Sequence, residues 1–249
     1  MSKRNWQTSL FDELGEYWEE IANTRETGKE AEFINEVTDT KGCLLDLCCG
    51  TGRHSLLLAE KAWKVVGLDI SPRLLNIAKR RMKSVKHGFS LLRGDIRSLP
   101  FRERAFAAVI SMFTSLGYLD SESEDLRALA EVARTLKRAG CLVVDVANRE
   151  HLIRVFRKKD WGEFPSFYML EERKLDSRSS KLRSRWIILD KNNSRTRLFD
   201  HNLRLYTISQ LRSMLQKTGL KVTRTYGGFD RQDFQRDSPR LIVLARKRA

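Results

Sequence analysis

The chain has 249 residues, 41% hydrophobic and 32% charged, which fits a globular protein of one large domain, or one domain with an insertion. No apolar run reaches the ~18 residues that span a bilayer, and the acidic stretch after Met1–Trp6 does not read as a secretory leader; a cytoplasmic location is expected. Four cysteines without CxxC spacing exclude a disulfide scaffold or zinc ribbon, and the net charge of +15 sits almost wholly in 151–249, with 24 basic against 10 acidic residues.

In chain order, Leu10, Phe11, Leu14, Tyr17, Trp18 and Ile21 fall at helical spacing and predict a first helix; a second is expected over 29–37. Cys43–Leu47 predicts a strand running into a glycine-bearing turn, and Arg53–Ala62 a helix. Lys64–Asp69 reads as the next strand. Ser71 and Pro72 then open a helix that reaches about Ser84. Phe89–Leu92 and Ala107–Ser111 are further strands, Ser121–Lys137 a helix ended by Gly140, and Leu142–Val146 the fifth strand. Continuous apolar strands alternating with helices predict an α/β, doubly wound parallel sheet. From Ser166 to Tyr206 the pattern changes to apolar–polar alternation around the turn Lys191–Ser194, which predicts an inserted antiparallel sheet. A helix capped by Thr207 or Ser209 and two last strands, 220–226 and 241–245, complete a seven-stranded sheet. The expected units are N-terminal helices over 1–40 covering the site, a ligand-binding unit over 41–150 and 207–249, and a β insertion over 151–206.

The richest motif is Leu45-Asp46-Leu47-Cys48-Cys49-Gly50-Thr51-Gly52-Arg53, a strand entering a glycine turn that opens a helix. Glycines let a ligand approach the backbone, and free amides at the helix start face it. Asp69, 17 residues past Gly52, ends the second strand, where a carboxylate can accept both hydroxyls of a ribose. Gly94-Asp95-Ile96 follows strand three, at a point expected beside strand one, where an adenine edge can meet a side chain and a backbone amide. Asp46 would repel a pyrophosphate at that turn and would welcome an ammonium.

Together these stretches resemble the class I S-adenosylmethionine-dependent methyltransferases over nearly the whole chain. Leu44–His54 resembles the family's glycine-rich first motif, Val65–Ser71 its acidic second motif, and Gly94–Ile96 with Leu99-Pro100-Phe101 its third. Leu136-Lys137-Arg138-Ala139-Gly140 resembles its LKPGG turn, with Arg for Pro and Ala for the first Gly. Cys48-Cys49 departs from the usual Gly-Cys or Gly-Ser. The resemblance implies a Rossmann-like sheet with an antiparallel last strand and S-adenosyl-L-methionine as cofactor. It further implies that Gly50 and Gly52 pass under the methionine part, Asp46 organises the amino group, Asp69 holds the ribose, Ile70 packs on the adenine, Asp95 and Ile96 read its edge, and Met112 offers its carbonyl.

The Asn/Asp-Pro-Pro-Tyr motif of enzymes that methylate nitrogens in DNA, RNA and protein glutamine, and the Pro-Cys nucleophile of cytosine C5 enzymes, are absent after strand four. Phe113–Tyr118, the inserted sheet, and Arg204-Leu205-Tyr206 followed by a helix resemble instead the small-molecule branch, including sugar-amine and glycine N-methyltransferases. The expected reaction moves a methyl group to a nitrogen or oxygen of a small molecule, which can be anionic, by in-line displacement. The alternatives are an RNA or protein methyltransferase using the basic C-terminal portion and, less favoured, a non-catalytic nucleotide-binding module or NAD-dependent dehydrogenase. Tyr17, Tyr118 and His54 are the candidate catalytic residues, and Arg149, Arg204 and Tyr206 the candidate acceptor-binding residues. Alternation puts Arg204 and Tyr206 on one face without saying which. No metal-ligand spacing is present, and the oligomeric state is open.

Overall fold

The computed structural model describes residues 6–22, 26–39, 41–83, 88–176 and 179–248; the expected helix end at Ser84 lies outside them. Three helices come first: α1 (Trp6–Leu14), α2 (Glu16–Ala22) and α3 (Thr27–Val37). The single helix expected over 10–21 is therefore two. Gly15 takes φ +48°, a left-handed conformation that stops α1 and re-aims the chain into α2.

The sheet elements follow as β1 (Cys43–Leu47), α4 (Arg53–Glu60), β2 (Lys64–Asp69), α5 (Pro72–Met82), β3 (Ser90–Arg93), β4 (Phe106–Ser111), α6 (Glu122–Thr135) and β5 (Leu136–Ala147). A short helix, α7 (Arg149–Arg154), leads to β6 (Lys159–Glu163), β7 (Phe167–Asp176), β8 (Lys181–Asp190) and β9 (Thr196–Arg204). Then α8 (Ile208–Lys217), β10 (Leu220–Tyr226) and β11 (Arg240–Lys247) close the chain. Seven strands form one sheet in the order β10-β11-β5-β4-β1-β2-β3, with β11 antiparallel to both neighbours. The remaining four form a second, antiparallel sheet in the order β6-β7-β8-β9.

One expected neighbourhood is corrected. β3 pairs with β2 at the sheet edge and not with β1, and Gly94 N–H donates to Asp69 O at 3.0 Å. The Gly94–Ile96 turn therefore stands beside the end of β2. Helix α6 also stops at Thr135, two residues early, because Leu136 is already extended and Ala139 takes φ +57°.

The central strands of the large sheet are buried on both faces, as β4 shows with six buried residues in succession, while the edge strands β3 and β10 are largely exposed. Ser71 caps α5 through Leu74 N–H, and Thr207 forms a capping box with Gln210 at the start of α8. A separate apolar cluster joins Leu10 and Leu14 of α1 to Phe167, Trp186, Ile188 and Phe199 on the inner face of the second sheet. Polar contacts fasten the same layers. Tyr17 donates to Asp190, Ser166 Oγ donates to Glu20, and Ser71 Oγ donates to Asp12 at 2.6 Å. Helices α1 and α2 thus lie between the second sheet and the carboxyl edge of the first. Among the described residues no helix is long and apolar enough to cross a membrane.

Candidate active site

The glycine loop sits where β1 stops and α4 begins. Cys48, Gly50 and Gly52 all take left-handed backbone, at φ +59°, +55° and +73°. Cys48 thus adopts, at some conformational cost, a geometry that glycine takes freely. The loop is pinned to β2: Cys49 N–H donates to Leu68 O at 3.0 Å and Gly50 N–H to Asp69 Oδ2 at 2.8 Å. A Cβ on Gly52 would come within 2.7 Å of Phe89, so that turn has no room for a side chain.

Beside the loop is a cleft lined by Cys48, Gly50, Asp69, Ile70, Gly94, Asp95 and Ile96 from the sheet edge. Its other wall is Gln7, Phe11 and Trp18 from α1 and α2, with Phe113, Ser115, Tyr118 and Leu119 from the segment after β4. The aromatic rings interlock: Phe11 meets Trp18 edge-on at 5.1 Å and Tyr118 at 5.6 Å, and Trp18 meets Phe113 at 6.0 Å. No side chain lining this cleft among the described residues is basic.

Burial sets the charges. Asp69 is nearly inaccessible and its pKa is pushed up to about 6 by desolvation, which the N–H bonds from Ser71 at 2.9 Å and Gly50 only partly offset. The backbone N–H groups of Ser71, Gly50 and, less strongly, Ile70 take up to three of the four acceptor positions of this carboxylate and leave about one open. Asp95 is different. Burial alone would raise its pKa, but the forked bond from Arg97, at 3.0 and 2.6 Å, holds it below the ordinary value. Burial and the nearby Glu171 carboxylate push the Tyr118 phenol well above its ordinary range, so it stays neutral. His201 stacks behind Tyr118 at 6.0 Å, and burial lowers its pKa to about 4.

Several expected site residues lie elsewhere. Asp46 lies behind the loop, 1% exposed, and accepts the Ser55 hydroxyl at 2.6 Å. Gly52 faces Phe89 and Ala78, and Met112 O already accepts from Ser115 Oγ at 2.8 Å. Tyr17 packs on Phe167 and donates to Asp190, because the break at Gly15 turns it toward the second sheet. His54 is buried against Glu30 at 2.6 Å, beside the Arg53–Glu30 ion pair. Arg149 donates to Ser180 Oγ at 2.9 Å and borders a different depression with Arg154 and Arg236. Arg204 and Tyr206 do share a face, but it points at α6, where both reach Asp125 at 2.7 and 2.6 Å. Of the expected set the structure gathers Gly50, Asp69, Ile70, Asp95, Ile96 and Tyr118 at the cleft.

Sequence reasoning assigned no role to Gln7, Phe11, Trp18 and Phe113 as its wall, nor to His201 behind it. It also missed Asp145, whose carboxylate receives Phe113 N–H at 2.8 Å and a two-pronged bond from Arg240 at 2.7 and 2.6 Å. Helical spacing marked Phe11 and Trp18 as apolar-face residues and nothing more. Among the described residues no group of three His, Cys, Asp or Glu side chains could hold a metal ion.

Comparison with known proteins places this geometry. The family described as "Methyltransferase domain" matches residues 44–140. The demethylmenaquinone methyltransferase of Thermotoga maritima is 32% identical over 169 residues, covering 64% of this chain and 67% of that protein. The dTDP-3-amino-3,4,6-trideoxy-alpha-D-glucopyranose N,N-dimethyltransferase of Streptomyces venezuelae is 34% identical over 115 residues, 46% of each chain. Among solved structures, the CcbJ methyltransferase of Streptomyces caelestis superposes with a TM-score of 0.84 at 22% identity, covering 97% of this chain and 98% of that one, a likeness of fold.

Proposed function

This chain belongs to the class I S-adenosylmethionine-dependent methyltransferase family, and we propose that within it the protein methylates a neutral nitrogen of a small molecule seated in the aromatic cleft. The cofactor is S-adenosylmethionine, which supplies a methyl group on a sulfonium that already carries the positive charge and the leaving group. The residues present fit it. Asp69 keeps acceptor capacity for a ribose hydroxyl, Ile70 and Ile96 offer apolar contact for a base, and Gly50, left-handed and without a side chain, brings the loop backbone to the cleft. We assign the cofactor-binding unit to 41–150 and 207–249, and the cover to 1–40 and 151–206.

The observation that carries the nitrogen assignment is the lack of a competent base among the described residues of the cleft. Asp69 is committed to the ribose side, Asp95 to Arg97, and Tyr118 is a neutral phenol. The His201 imidazole, behind Tyr118, is too weakly basic to draw a proton from an alcohol. A neutral amine needs no such base, and an apolar, aromatic wall favours the uncharged amine over its ammonium form. What the chain supplies is position and dryness: Phe11, Trp18, Phe113 and Tyr118 exclude water, while Gln7 and Ser115 are the polar groups that can orient an acceptor. The N,N-dimethyltransferase relative supports the same atom type.

An RNA acceptor is the second reading, resting on the basic excess of 151–249. Against it, Arg149 and Arg204 do not face the cleft, and the basic side chains of β7 to β9 lie mostly on the outer face of their sheet. Arg178, in that basic stretch, lies outside the described residues. Methyl-labelled cofactor incubated with a metabolite extract, and in parallel with total tRNA and rRNA, tests the assignment. Label should enter a small amine and be lost with Trp18→Ala; label entering only the RNA arm would reject it.

A further inference from the structure

The outer face of the second sheet, turned away from the cleft, carries apolar side chains where a solvated face would be polar. Register places Trp161, Leu170, Ile187 and Leu198 directly opposite one another across all four strands. Tyr168 and Leu189 stand side by side in the next row. Trp161 is 69% exposed and Leu198 60%, and none of this row enters the core clusters. A contiguous patch of this kind marks an interface.

The row on the other side of the apolar stripe says which partner. It reads Lys159, Glu172, Arg185, Asp200, with alternating signs, one on each strand in order; within the chain Lys159 meets Glu172 at 3.3 Å and Arg185 meets Asp200 at 2.8 Å, and a facing copy would extend these exposed pairs into a four-charge network. A two-fold axis parallel to the strands, between β7 and β8, exchanges β6 with β9 and β7 with β8. Lys159 then faces the partner's Asp200, and Glu172 faces the partner's Arg185. In the apolar row Trp161 meets the partner's Leu198 and Leu170 the partner's Ile187. A two-fold along the rows would instead press Arg185 and Glu172 against Leu189 and Tyr168, burying charge on apolar surface. One row is unfavourable under the chosen axis, since Lys174 faces the partner's Arg183. The row beyond it is favourable again, with Asp176 facing the partner's Lys181.

We propose that this face is the interface of an isologous dimer, in which two copies of the four-stranded sheet pack face to face about that axis. Sheets pack about 10 Å apart, which seats one layer of side chains from each copy. The same patch on both copies is what closed two-fold symmetry requires. The cleft lies on the opposite face of this sheet, so dimerisation leaves its lining untouched.

Sedimentation velocity of the full chain across a concentration series tests this. The wild type should sediment as a dimer. Trp161→Glu should sediment as a monomer that keeps the circular dichroism spectrum of the folded chain, because the side chain it removes is exposed in the single chain; its melting temperature should fall only by the stabilisation that association gives the wild type. Trp161→Ala should weaken association by roughly thirty-fold or more, as truncating a buried interface tryptophan does. Lys159→Glu alone should weaken the dimer, and adding Asp200→Lys should restore it. Those two residues lie on opposite edges of the sheet, so rescue can come only through the partner. Lys174→Glu should tighten it. A wild type that stays monomeric at every concentration, whether or not it binds phosphatidylcholine vesicles, would overturn the proposal. So would a Trp161→Glu variant that still dimerises, or a charge swap that fails to rescue.

Discussion

Tyr206 donates its hydroxyl to Asp125 across 2.6 Å, and Arg204 reaches the same carboxylate oxygen at 2.7 Å. Asp125 has no exposed surface, so these two partners and Gly117 N–H at 3.3 Å replace the water it lost. The cluster ties the end of β9 to α6 and so anchors the second sheet to the first.

Removing Arg204 leaves a buried carboxylate half-paired, a change that costs about 3–5 kcal/mol. Tyr206→Phe removes one neutral donor and should cost about 1–3 kcal/mol. Denaturant unfolding should show both losses, with affinity for S-adenosylhomocysteine nearly unchanged. A variant at Arg204 of wild-type stability with a raised KM for the acceptor would instead make Arg204 a binding residue.

A second ion pair, with its carboxylate buried and its arginine half-buried, shapes the cleft itself. Arg240 grips Asp145 with two nitrogens, and Asp145 receives Phe113 N–H on its side chain and Thr114 N–H on its carbonyl, at 2.8 and 2.9 Å. Phe113 and Thr114 are both left-handed, at φ +56° and +62°, a strain that needs such a support. Arg240→Ala should cost about 3 kcal/mol of stability and raise KM for the acceptor as Phe113 shifts in the cleft wall. Arg240→Lys keeps the charge without the fork and should fall between. Steady-state kinetics beside thermal unfolding checks this; an unaltered KM would uncouple the pair from the cleft.

These two clusters show where the sequence was legible. The continuous apolar strands, the Gly50 and Gly52 turn and the position of Asp69 carry their own local signals, so the large sheet and its ligand edge follow from pattern. Alternation in β9 gives a period but no sign, so it puts Arg204 and Tyr206 on one face and cannot tell the cleft from α6, which is where both point. Strand β6, Lys-Asp-Trp-Gly-Glu, has only Trp161 as an apolar side chain and exposes it, so it carries no strand pattern. Glu30 meeting His54, and Arg240 meeting Asp145, are pairings between residues distant in sequence that only the folded chain creates.

Asp69 should make cofactor binding depend on pH. Its folded pKa is raised, to about 6, by burial. A ligand that donates hydroxyls to the carboxylate favours the ionised form, so binding expels the proton below that pH. Affinity should therefore rise by up to about tenfold per pH unit as pH climbs toward 6, and level off above it. Calorimetry from pH 5 to 8 checks the shape, and Asp69→Asn should flatten it. A wild-type profile flat through pH 6 would remove Asp69 from the binding site.

The cofactor's place against the carboxyl edge of β1 and β2 is tested most directly by titrating S-adenosylhomocysteine into the wild type and Asp69→Ala, with NAD as control. Charge-assisted hydrogen bonds to the ribose are worth roughly 1.5–3 kcal/mol, so Asp69→Ala should bind at least about tenfold more weakly. Circular dichroism should show the fold retained, and NAD should give no heat. Unchanged affinity in Asp69→Ala, or saturable NAD binding in the wild type, would contradict the placement.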